Sequence, residues 1–324
     1  MKKKLMFTIP LLVVTVLLIS VSTVSSNGDT KPTVVCTTTI LSSFAEQVGG
    51  DNITVHSIVP PGICPAHYDI TPSDVYAVST ASLVIYSGFE PWLDDLIEAS
   101  GVNVTRVKVG GPWHPYTAAL EYVTKIRDAL NATLPEYSSY FEENAQAVCE
   151  AINATAQAIK EEADELNVSQ VKVVCMQWQN AFVSWLGFNI TATYGPPEKL
   201  TTSEILNLTS TAEKEEVALV IDNLPSGTEF GAKLAADVGA QHVILTNFPG
   251  AIPDTENYSR MIEYNARQLF EAVERHRLIQ GEISELTVAL NNTSMQVKIL
   301  TATTIILLAT TAVEAIVIYR RKSR

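Results

Sequence analysis

The sequence predicts a two-lobed α/β body with parallel sheets, a long helix linking the lobes, and a C-terminal transmembrane helix. Three observations predict it. Short buried-strand patterns alternate with helix patterns in each half of the body, the rhythm of parallel sheets covered by helices. A stretch of about thirty residues without glycine or internal proline separates the halves, from 135 to 166. Residues 299–319 are 21 positions with a single charge, Glu314, long enough to span a bilayer as a helix.

The elements follow in order. Lys2–Lys4, the apolar run 5–20 and the small polar run 21–26 read as a secretory signal peptide over 1–26. The N-terminal lobe, 33–134, opens on the strand TVVCT at 33–37, a helix over 40–48 ending at Gly49-Gly50, and a strand over 53–59. After a proline-rich loop come a helix at 73–82, the strand LVIYS at 83–87, a helix at 90–99 and a strand at 104–109. The linker helix occupies 135–167, with Val148, Ile152, Ile159 and Leu166 on one apolar stripe. The C-terminal lobe, 168–280, restarts with VKVVC at 171–175, a helix at 180–186 and a strand at 188–193. It continues with a helix at 203–211, the strand VALVI at 217–221, a helix at 230–238, a strand at 242–245 and a closing helix at 258–280. TVVC at 33–36 echoes KVVC at 172–175, which suggests a repeated lobe. A stalk, 281–296, leads to the transmembrane helix, 297–319, and a tail, 320–324, whose Arg320, Arg321, Lys322 and Arg324 mark the cytoplasmic side. No lipobox cysteine follows the signal peptide, so the C-terminal helix is the expected anchor. The expected location is the cell surface, extracytoplasmic, with one span and the C-terminus in the cytoplasm.

The whole chain has 22 basic and 35 acidic residues. Without the signal peptide, residues 299–319 and the tail it keeps 15 against 34, a net charge of −19. Such a body does not seek nucleic acid or anionic lipid. Ten of sixteen asparagines sit in sequons, where chance gives about three. They are Asn52, Asn103, Asn131, Asn153, Asn167, Asn189, Asn207, Asn257, Asn291 and Asn292, and they point to a surface glycoprotein. Cys36, Cys64, Cys149 and Cys175 allow two disulfides in three connectivities, or remain inert buried thiols.

Two-lobed α/β proteins bind ligands between lobes, on loops after the strands. In the first lobe those loops offer His67, in PPGICPAHYDITPSD at 60–74, with Cys64 and Asp69 beside it, and His114 in GGPWHPY. The second lobe offers Gln177 and Gln179 in MQWQ, Glu198 in GPPEKL and Asp222 in VIDN. Two imidazoles with two carboxylates suit a divalent transition metal. His56, His242 and His276 read as structural or solvated. The chain has no G-x-S-x-G elbow, P-loop, H-E-x-x-H or G-x-G-x-x-G, which argues against an enzyme.

The stretch at 60–74, followed by ASLVIYSGFEPWLDDLI at 81–97, resembles the zinc- and manganese-binding solute-binding proteins of ABC transporters, the ZnuA/TroA-like family. The residues that carry the likeness are Pro60, Gly62, Cys64, Pro65, His67, Tyr68, Pro72, Ser73 and Asp74. NYSRMIEYNARQLF at 257–270 is similar to the family's last helix, and the resemblance covers roughly 33–273. It implies two Rossmann-like lobes joined by a rigid long helix, with a zinc or manganese ion as ligand in the cleft. It also implies a separate permease and its ATPase as partners, and the membrane through the C-terminal helix. By this resemblance His67 is the first metal ligand and His114 the second, with Trp-His-Pro where the family has Pro-His. The third position, a histidine two residues before Ala-Phe, is Gln179 here, a metal or outer ligand, and Glu198 and Asp222 supply the carboxylates. Cys64 replaces the usual aspartate, as a ligand or in a disulfide. The missing histidine tilts the site toward manganese or iron. The rival expectations are a surface adhesin or structural glycoprotein with a degenerate metal site on the same fold, and a metal-dependent secreted hydrolase.

Overall fold

The computed structural model describes residues 31–322; residues 1–30, which include the expected signal peptide, and the last two residues lie outside them. The first sheet takes β1 (Thr33–Cys36), β2 (Thr54–Ser57), β3 (Leu83–Tyr86) and β4 (Thr105–Lys108) in the order β2-β1-β3-β4. The second takes β5 (Lys172–Met176), β6 (Asn189–Tyr194), β7 (Leu219–Asn223) and β8 (Gln241–Leu245) in the order β6-β5-β7-β8. Every pairing is parallel. The echoing TVVC and KVVC segments are β1 and β5, at the same place in the two sheets. Val and Ile dominate these strands because both faces are covered, which removes polar alternation. In each sheet the chain reverses its winding beside this strand, between β1 and β3 and between β5 and β7. Crevices for ligands open there, at the carboxyl ends of the strands.

The helices between strands are α1 (Thr39–Gly49), α2 (Pro72–Ser79) and α3 (Leu93–Ser100) in the first lobe. In the second they are α6 (Asn180–Leu186), α7 (Thr202–Lys214) and α8 (Glu229–Val238). The sequence pattern gave no helix for 110–134, yet α4 (Tyr116–Thr133) lies there, burying Ala119, Tyr122, Val123, Ile126 and Leu130. The linker helix is α5 (Ser138–Glu165), about 42 Å long at ~1.5 Å per residue. Phe141, Ala145, Val148, Ile152, Ala156, Ile159 and Ala163 form its buried stripe, at helical spacing. One hydrophobic core runs from Val34 and Ile85 of the first sheet, through Ile152 and Ile159 of α5, to Val173 and Ile221 of the second. A core shared by both lobes resists hinging between them.

The last helix, α9 (Tyr258–Lys322), is longer than the pattern suggested. It does not stop at 280; stalk and apolar segment continue it as one helix. Tyr258, Met261, Ile262, Leu269 and Phe270 pack on the body. Arg277 closes that contact by donating to the Leu166 carbonyl at 2.7 Å, at the far end of α5. Beyond Arg277, the side chains of 278–321 are exposed.

Candidate metal centre

The loop after β2 is built by its prolines. Pro65 opens a short 3-10 turn, Pro65–His67, and Trp92 Nε1 donates to the Pro65 carbonyl at 2.8 Å. Thr71 and Asp74 form a reciprocal cap on α2, and the Tyr68 hydroxyl donates to Asp74 at 2.9 Å. The frame is firm, but the His67 side chain on it is exposed. Cys64 is half-buried on the same loop. A Cβ on Gly250 would meet Pro61 at 3.8 Å, so this loop touches the second lobe.

The loop after β4 goes deeper. Trp113 Nε1 donates across the lobes to the Asn247 carbonyl at 3.0 Å, and its ring lies 5.6 Å from that of Phe248. His114 is buried, with its ring 5.3 Å from Phe182 and 5.6 Å from Tyr258. Burial lowers its pKa to about 3, so the imidazole is neutral. The Tyr258 hydroxyl donates its one proton to the Trp113 carbonyl at 2.9 Å. The 3.2 Å contact between that oxygen and His114 Nδ1 is therefore donated by Nδ1–H. Nε2 keeps its lone pair and has no hydrogen-bond partner. A buried imidazole with one nitrogen tied to an oxygen and the other bare is prepared to ligate a metal.

The second lobe answers with neutral groups. Gln179 is fully buried at the start of α6; its Nε2 donates to Asn223 at 2.9 Å, and its Oε1 has no partner. Asn247, two residues past β8, also buries an unpartnered oxygen. Among the described residues, seven buried side-chain atoms lack a hydrogen-bond partner, and six lie in segments that lead out of strands. Besides His114, Gln179 and Asn247 they belong to Thr38 and Ser87, just past β1 and β3, and to Thr39, which opens α1; the seventh is on Asn131 of α4. Unspent polar capacity in a folded interior is rare and collects where ligands bind. Sequence reasoning missed Thr38, Ser87 and Asn247. Their one signal was position, directly after buried strand runs.

The nominated carboxylates do not join this set. Asp222 is fully buried, but on the opposite face of β7. It accepts from the Tyr194 hydroxyl and meets His242 Nε2 at 2.7 Å. A Cβ on Gly231 of α8 would lie 2.1 Å from its Oδ2, so only glycine fits over it. Its neighbours in the strand, Ile221 and Asn223, face the other way, Ile221 into the shared core and Asn223 to Gln179. Asp222 is thus the acidic half of an internal pair, and His242, read from sequence as structural or solvated, is its partner. Glu198 is exposed on a short turn, Pro197–Lys199. Among the described residues no group of three or more His, Cys, Asp or Glu gathers as a metal cluster. Glu90, after β3, is saturated. It accepts from the backbone amides of Ser87 (2.9 Å), Gly88 (2.6 Å) and Phe89 (2.9 Å), and from Thr37.

All four cysteines are free, and burial pushes the Cys36 and Cys175 thiols up out of reach of ionisation. Of the sequons, Asn52, Asn103, Asn167 and Asn189 lie at or shortly before the amino ends of strands, opposite the crevices. Asn153 and Asn207 are exposed on α5 and α7, and Asn291 and Asn292 on α9. Asn257 accepts from the Arg260 amide at 3.0 Å as a helix cap, and Asn131 has its amide oxygen buried.

The family model of the periplasmic zinc-uptake complex component A matches residues 34–272. The metal ABC transporter substrate-binding lipoprotein ScbA of Streptococcus cristatus is 23% identical over 84% of this chain and 100% of its own length. The manganese ABC transporter substrate-binding lipoprotein ScaA of Streptococcus gordonii is 24% identical over 84% of this chain and 99% of its own. The periplasmic zinc-binding protein TroA of Treponema pallidum superposes with a TM-score of 0.65 at 15% identity, over 75% of this chain and 99% of its own. That likeness establishes the two-lobed fold.

Proposed function

This chain belongs to the zinc-uptake complex component A family, and from that membership we propose that it captures a divalent transition metal, zinc or manganese, outside the cytoplasm. It hands the ion to a separate permease driven by an ATPase. The reading rests on one observation above others: the bare Nε2 of His114, buried at the carboxyl ends of the strands with Nδ1 tied to Tyr258. His67, on the neighbouring loop, is the second imidazole, and the Gln179 oxygen a weak neutral donor. The shared core supports capture by movement of the exposed His67 loop, with the lobes holding still. Residues 299–319 anchor the protein in the membrane; the helix that contains them has an 18-residue window of mean hydropathy 1.9.

The test is metal content and stability of the full chain in detergent. Protein purified without chelator should carry close to one zinc or manganese per chain, and added metal should raise its Tm by mass action. Protein without metal and without a Tm shift overturns the reading. A second reading is a surface adhesin or structural glycoprotein with a degenerate metal site. The absence of a carboxylate cluster among the described residues favours it, and the same measurement decides between the two.

A further inference from the structure

The exposed length of α9 carries a second pattern, unrelated to the crevice. Ile279, Ile283, Leu286, Leu290 and Val297 follow one another at spacings of four and three, with Thr293 filling the gap. Each apolar member is exposed, Leu286 and Leu290 to 70%. The stripe does not stop at the apolar segment. Leu300, Thr304, Leu307, Thr311, Glu314 and Ile318 continue the same period without a break. A hydrophobic repeat held at 3.5 residues is the signature of helices that wind round one another with a left-handed twist.

Several observations identify the partner as a second copy of this chain. One set of alternating positions is β-branched apart from Leu290: Ile283, Val297, Thr304, Thr311 and Ile318. The other set holds Leu286, Leu300 and Leu307, with Ile279, Thr293 and Glu314 at its remaining places. That distribution favours two parallel strands. The sequons at Asn291 and Asn292 fall directly after Leu290, on the side turned away from the stripe, where glycans do not obstruct pairing. Glu314, the one charge within residues 299–319, lies on the stripe, and an ionisable group in hydrocarbon faces another helix in preference to lipid. Residues 278–298 contain Gly281, Asn291, Asn292 and several β-branched residues, poor material for a helix standing alone in water. At 3.6 residues per turn, the stripe sits roughly a quarter turn round α9 from the face that packs on the body. A second helix can lie along it without entering the body.

We propose that α9 pairs in parallel with α9 of a second copy along this stripe, from Ile279 through the apolar segment. The proposal rests on residues 299–319 being a membrane span. The stalk offers five exposed apolar residues of the stripe per copy, against about 20–30 residues a side in a stable interface. The stalk alone is insufficient, and the span and confinement to one membrane complete the pairing.

The test is the mass of the full chain in mild detergent by light scattering, and its stoichiometry in vesicles by single-molecule photobleaching. Both should give two copies. Leu286→Asp combined with Leu290→Asp should weaken pairing at least tenfold, while Val288→Asp, on the opposite side of the helix, should leave it unchanged. Neither variant touches the body, whose Tm should stay constant. Carbonate-resistant membrane association, measured alongside, separates loss of the anchor from loss of pairing. A wild-type chain that is monomeric in vesicles assigns the stripe to a different helix and overturns the proposal. So does a stripe variant that keeps two copies, or a Val288 variant that loses them.

Discussion

The two histidine loops of the first lobe divide between them what a ligand site needs. The loop after β2 has a specific sequence, a proline frame and an exposed imidazole. The loop after β4 has a plainer sequence, yet its imidazole is buried, neutral and oriented by Tyr258. The first is stiff in backbone and open at the side chain; the second is locked at the side chain by contacts from the other lobe. Motif specificity and preorganisation are thus separate properties. A site can recruit one residue for access and another for geometry.

Acidification should part the loops most sharply. Folding holds His114 neutral down to about pH 3, whereas the unfolded chain takes up the proton near 6.5. Between those values the unfolded state binds more protons, so stability rises with pH across that window. The contribution is complete above 6.5 and is lost progressively toward 3. At ~1.4 kcal/mol per pH unit the loss reaches several kcal/mol. Denaturant titrations of metal-free protein at pH 7, 5 and 4 should show this slope, and His114→Gln should lack it. An equal slope in the variant would mean that His114 is not the group responsible.

Truncation comes next in size. His114→Ala removes packing against Phe182 and Tyr258 and should cost about 2–4 kcal/mol, together with the metal-induced Tm shift. His67→Ala should change metal-free stability by less than about 0.5 kcal/mol and still abolish that shift. Comparable losses of stability from both would erase the distinction between the loops. The smallest effect sharpens it from the second lobe. Gln179→His replaces a neutral amide with an imidazole beside Asn223 and should tighten zinc binding about tenfold, near 1.4 kcal/mol, by isothermal titration. Unchanged affinity would place Gln179 outside the ion's reach.

The strand–helix alternation, the linker helix and the repeat of TVVC were legible because buried parallel strands write themselves as Val/Ile runs. Helix α4 was not, although its buried Ala119, Tyr122, Val123, Ile126 and Leu130 keep helical spacing, because it stands directly before α5 as a second helix in a row and strand–helix alternation has no place for it. Asp222 shows a deeper limit. In a central strand both faces are buried, so alternation gives the two sides but not which one borders the crevice. That choice is set by Tyr194, His242 and Gly231, which come from three other elements. His67 was legible because proline and glycine constrain the chain locally. Asn247 was not, because an amide becomes conspicuous only when its oxygen is found buried and unpaired.

Helix α9 begins beside His114 and leaves the body at its opposite edge, where Arg277 meets Leu166. Followed along that rod, Tyr258 stands about 60 Å from residue 299 at ~1.5 Å per residue. On the proposed reading, with residues 299–319 in the membrane and the ion on His114, the ion would ride at a height above the bilayer. Delivery becomes a question of altitude as much as of affinity. Either the rod tilts or bends, and Gly281 is its one glycine, or the receiver rises to meet it.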